Sequence, residues 1–94
     1  MPAPEELESL ARPWLDARPG FVAAVRTYHR NCFVRLWPED RPQLKAVCIV
    51  GDAAFRREPP ERVVARALDI GAEALAGMTI ESGTIARGYR QARA

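Results

Sequence analysis

The chain has 94 residues, 48% hydrophobic and 28% charged, with a formal net charge of +2. That is room for one domain, residues 1–94, and its balance of apolar and charged residues excludes wholesale disorder. The charge is too small to announce a nucleic-acid binder on its own, and two cysteines are too few for a secreted scaffold stapled by disulfides.

Thirteen of the fourteen basic residues are arginine, Lys45 being the exception. An Arg- and Ala-heavy chain is what a GC-rich genome writes, so a bacterial origin is expected. The first twenty residues are net acidic and hold four prolines, unlike a secretory leader. No apolar run approaches the ~20 residues that cross a bilayer. A cytoplasmic protein with no membrane association is the expectation, and both thiols suit a reducing compartment.

In the first segment, Glu5 to Asp16, the residues Leu7, Leu10, Trp14 and Leu15 recur at helical spacing. Three glutamates sit in or near its first turn, where the helix dipole favours negative charge. Pro13 is expected to kink or shorten it.

The second segment, Phe21 to Trp37, places Phe21, Val22, Val25, Tyr28, His29, Cys32, Phe33 and Leu36 on one helical stripe. Arg26, Thr27, Arg30 and Asn31 fall opposite. As a strand, neither alternating face is cleanly apolar. Periodicity therefore predicts a helix over 21–36, although Cys32-Phe33-Val34 is strand-like in residue type.

The third segment has two readings. Leu44, Val47, Cys48, Ala54 and Phe55 suit a helical face, with Pro42 in the first turn. Residues 46–52 also read as a short buried strand ending in a turn. The helix is preferred. The fourth segment, Glu61 to Ala76, is a clear helix. Val63, Val64, Ala67, Leu68, Gly71 and Leu75 form its apolar face, between Pro60 and a capping Gly77. A turn or short strand over 78–83 and a last short helix from Thr84 follow. The expected fold is mainly α, a bundle of four to five short helices; the alternative is α+β with a small sheet formed by residues 21–50.

Enzyme chemistry has no evident seat. His29 is the only histidine, and its apolar stripe marks it as a core residue beside a packed Cys32. A nucleophilic pair needs a pocket and a third group to orient the base. A zinc site needs four ligands. Val47 to Asp52 lacks the repeated glycines of a phosphate-binding turn. No catalytic residue, cofactor or metal is therefore expected.

Charge placement is more informative. Residues 21–37 hold Arg26, Arg30 and Arg35 and no acid; residues 82–94 hold Arg87, Arg90 and Arg93 and no acid. On a helix, Arg26, Arg30 and Trp37 make an exposed stripe of residue types enriched at interaction hot spots. The leading expectation is a non-enzymatic accessory or regulatory protein that binds another protein through these three residues. In so small a domain, pairing with itself as a homodimer is a further route to stability.

The alternative is DNA. Ala74 to Thr79 followed by Gly83 to Arg90 resembles a helix-turn-helix, with Ile85 eight positions after Gly77 and therefore a long turn. The resemblance implies Ser82 and Thr84 at the cap of a second helix, near phosphate. It implies Arg87 and Arg90 facing the major groove, where arginine bonds guanine through two donors.

Overall fold

The structure is a computed structural model that describes residues 1–77 and 89–93, with side chains described through Gly77. It is α+β. A helix α1 (Pro4–Asp16) precedes three strands, β1 (Phe21–Tyr28), β2 (Asn31–Pro38) and β3 (Lys45–Gly51). Two helices follow, α2 (Asp52–Arg57) and α3 (Pro60–Ala76), and then a strand β4 (Tyr89–Arg93). The sheet order is β1-β2-β3-β4: the first three strands are antiparallel neighbours and β4 lies parallel to β3.

The expected mainly α bundle is overturned in the second and third segments. Residues 21–37 form a hairpin in which Tyr28 pairs with Asn31 across the two-residue turn His29-Arg30. Both turn residues have positive φ, 46° and 62°, the pattern that matches the twist of paired strands. Crossing that turn inverts the alternation. The inward residues are odd-numbered in β1 (Ala23, Val25) and even-numbered in β2 (Cys32, Val34, Leu36). Read as one continuous segment, an odd set followed by an even set yields spacings of three and four, which imitate a helix.

The third segment is the strand β3. Val47, Cys48, Ile49 and Val50 are all buried. With both faces shielded, its apolar run has no period that separates strand from helix.

Both long helices lie where the sequence predicts them. Pro4 and Pro60 occupy first turns, where a missing N–H costs nothing. Pro13 is accommodated inside α1. The carbonyl it leaves without a donor belongs to exposed Ser9, open to water. Helices α1 and α3 pack side by side on one face of the sheet. Leu7, Ala11 and Trp14 meet Val63, Val64, Ala67, Leu68 and Leu75 above Val25, Val34, Leu36, Ala46, Cys48 and Val50. At Gly71 the helix runs close to the sheet: a Cβ there would lie 3.5 Å from that of Leu36.

Two polar ties fix α1. The Trp14 indole donates to Asp69 on α3 at 2.9 Å, and the Arg18 guanidinium lies 4.3 Å above the indole ring. The Val25 amide of β1 donates to the Glu8 carboxylate at 3.1 Å. Strand β1 is an edge of the sheet, so this bond satisfies a donor that has no neighbouring strand.

Candidate binding surface

Among the described residues, no helix packs on the opposite, outer face of the sheet. The register arranges that face in rows: Val22 beside Trp37; Ala24, Arg35 and Val47; Arg26, Phe33 and Ile49; Tyr28, Asn31 and Gly51. Cross-strand neighbours in a row have Cβ atoms roughly 4.5–5.5 Å apart, and diagonal neighbours roughly 7–8 Å. Arg26 therefore stands opposite Phe33 and diagonal to Arg35, and Phe33 is diagonal to Tyr28. These side chains rim an open groove of about 400 Å³ lined by Arg26, Thr27, Tyr28, Phe33, Arg35 and Val47.

Tyr28 is 67% exposed, the most exposed large apolar side chain among the described residues. Val47 is buried at the groove floor. Lower on the same face, the Lys45 ammonium sits 5.0 Å from the centre of the Trp37 ring, a geometry that attracts the cation to the ring.

The electrostatics of this face follow from where the acids lie. Strands β1 to β3 contain Arg26, Arg35 and Lys45, all on this face by register, and no Asp or Glu. Four helix and loop arginines are paired: Arg18 with Asp69, Arg41 with Asp40, Arg56 with Asp52 and Arg66 with Glu58. Among the described residues, Arg26 and Arg35 make no salt bridge, nor do Arg12, Arg30, Arg57 and Arg62. The sheet thus separates an acid-bearing helical layer from a basic, aromatic face.

The predicted protein-binding residues are partly brought together. Arg26 and Trp37 share the outer face, about 13 Å apart at four strand residues of separation. Arg30 lies at the end of the hairpin, in the turn, where its carbonyl accepts the Asp52 amide at 2.9 Å. A helical stripe does not exist here; parity in two neighbouring strands joins Arg26 to Trp37. The sequence reading placed Tyr28 and Phe33 in the core and left Arg35 out of the site. The signal for all three is the outward parity of each strand, visible once the hairpin turn is located.

Of the predicted DNA-contacting residues, Ser82, Thr84 and Arg87 lie outside the described residues. Arg90 is on β4, paired in register with Ala46. The second helix inferred from the helix-turn-helix resemblance therefore does not extend through Tyr89 and Arg90.

The titratable candidates are placed differently from one another. His29 is exposed in the hairpin turn, edge-on to Tyr28 with ring centres 4.0 Å apart, and so is no core histidine. Cys32 and Cys48 are both free and fully buried on the inner face. Burial, and to a lesser degree the neighbouring Cys48, pushes the Cys32 thiol up to about 11; burial also raises Cys48. A thiol held neutral in this way is a poor nucleophile. No group of three or more potential metal ligands occurs among the described residues, and none of their helices is long and apolar enough to cross a membrane.

No family model matches this chain, and neither a curated protein nor a solved structure matches it.

Proposed function

We propose that this protein is a non-catalytic binding module that receives an anionic macromolecule on the outer face of its sheet. The observation that carries this reading is the charge segregation: β1 to β3 place Arg26, Arg35 and Lys45 on one face with no acid, while the acids of the described residues lie on helices and loops. Arg26, Arg35 and Lys45 supply the attraction. Tyr28, Phe33 and Trp37 supply contact area at low entropic cost, since each ring turns about only two side-chain torsions. The accessory or regulatory role expected from the sequence is kept, with the surface moved from a helical stripe to a sheet.

Retention on a heparin column, followed against salt, tests the proposal. Binding is expected to weaken steadily as salt rises. The double substitution Arg26→Glu with Arg35→Glu is expected to weaken it at least 10-fold while leaving the melting temperature unchanged. Absence of retention at low salt, or retention unaltered by the charge reversal, would show that this face is not the binding surface.

A further inference from the structure

Resting on that reading of the outer face, we infer that the occupant of the Tyr28–Phe33 groove is a single-stranded nucleic acid, with bases stacked on the two rings and phosphates held by Arg26 and Arg35. The placement of the four side chains carries this. Arg26 is two strand residues, roughly 6.6 Å, from Tyr28 on the same face. It is directly opposite Phe33 and diagonal to Arg35. Rings and guanidiniums thus interleave across one groove instead of forming separate apolar and basic patches.

A chain that alternates flat apolar groups with anions fits such a surface, and an unpaired polynucleotide is such a chain. Stacking accepts every base because every base has a π face. The exposure of Tyr28 at 67% leaves its ring open to a base. The Lys45 ammonium, 5.0 Å from the Trp37 ring, continues the positive track along the face toward the other end of the strands.

Other anionic partners use less of what is present. A duplex keeps its bases stacked on one another, so the rings at Tyr28 and Phe33 have no base to receive. An acidic peptide pairs with the arginines but has no regular planar group for the rings. An anionic membrane surface meets both residue types but requires no interleaving.

The test is fluorescence anisotropy with a labelled 15-nucleotide oligothymidine, the same strand in a duplex, a poly-glutamate competitor and phosphatidylserine vesicles. The single strand is expected to bind at least 10-fold more tightly than the duplex. Three cations neutralising phosphates give a slope of log Kobs against log[salt] of about −2 for a single strand. Tyr28→Ala, which truncates an exposed side chain and spares the fold, is expected to weaken oligothymidine binding roughly 5- to 150-fold. Phe33→Ala is expected to act in the same range, with its melting curve measured alongside because the ring is half-buried.

Equal affinity for duplex and single strand, with Tyr28→Ala silent, overturns the inference. Preferential binding to vesicles, or displacement by poly-glutamate with no oligonucleotide affinity, also overturns it. In those cases heparin retention sensitive to Arg26 and Arg35 leaves the broader proposal standing. Failure of every anion to bind at low salt removes both.

Discussion

The two faces of one sheet, separated by a single residue step along each strand, have opposite chemistries. The inner face presents Val25, Cys32, Val34, Leu36, Ala46, Cys48 and Val50, all buried under α1 and α3. No charged or polar residue is buried among the described residues. The outer face alternates with it and presents arginine, lysine and three aromatic rings. In antiparallel sheets one face often packs and the other meets water. Here the outer face is more apolar than solvent exposure alone requires, and it carries charge of only one sign. The inner face answers to packing density; on the proposed function, the outer face answers to a partner. Substitutions should accordingly separate into those that melt the domain and those that silence it.

The largest contrast comes from Leu68→Asp, on the helix that covers the inner face. Leu68 is fully buried, and a carboxylate there costs several kcal/mol. That is comparable with the whole stability of a domain this size, about 5 kcal/mol at the low end. Loss of the cooperative thermal transition is expected; an unchanged midpoint would mean that α3 does not cover the sheet.

Raising the pH probes the same face through its thiols. Cys32 has a folded value of about 11 against an ordinary 9.0. Between these values the unfolded chain has released its thiol proton and the folded chain retains it. Stability is therefore full below pH 9 and declines as pH rises through about 11, by up to about 2 to 3 kcal/mol. Melting temperatures across that range should fall, and Cys32→Ala should flatten the fall. The thiols should also resist a thiol-labelling reagent until the chain unfolds.

Glu8→Ala removes the acceptor of the Val25 amide at the sheet edge. A cost of about 1 kcal/mol is expected by chemical denaturation, as for one hydrogen bond. Glu8→Gln, which keeps an acceptor oxygen, should recover part of it. Gly71→Ala should move stability the other way. The added methyl meets Leu36 at an ordinary 3.5 Å, while alanine is favoured over glycine inside a helix by up to about 1 kcal/mol. The smallest effect is expected from Arg26→Glu with Arg35→Glu, within about 0.5 kcal/mol as for surface changes remote from the core. A large destabilisation there would erase the distinction between the faces.

The helices were legible because each carries a single 3.6-residue pattern with a proline at its start, and Gly77 marks the end of α3. The hairpin was concealed by its turn. His29-Arg30 contains neither glycine nor asparagine, the usual carriers of positive φ, so nothing in residue type interrupts the stripe from Phe21 to Leu36. The apolar outer face completed the disguise, since Val22, Ala24 and Phe33 fill positions where a half-exposed strand would show polar residues. In β3 the ambiguity was physical: a strand buried on both faces has no alternation to read. Of the candidate face, Arg26 and Trp37 are recoverable from residue type alone. Tyr28, Phe33 and Arg35 are placed only by the parity of β1 and β2, which residue type alone does not reveal.

The parallel pairing of β4 with β3 bears on how the chain acquires its fold during synthesis. The hairpin, β3 and α1 lie within the first 51 residues, so their contacts join near neighbours along the chain and close early. Strand β4 is separated from β3 by both α2 and α3, and a crossover of that length must be laid down before it can pair. Until Tyr89 to Arg93 has left the ribosome, β3 presents an unpaired backbone edge flanked by Val47, Ile49 and Val50. Such edges recruit other strands while they remain open. A chain still lacking Tyr89 to Arg93, nascent or cleaved, therefore has its greatest tendency to aggregate at β3, and this late strand acts as its seal.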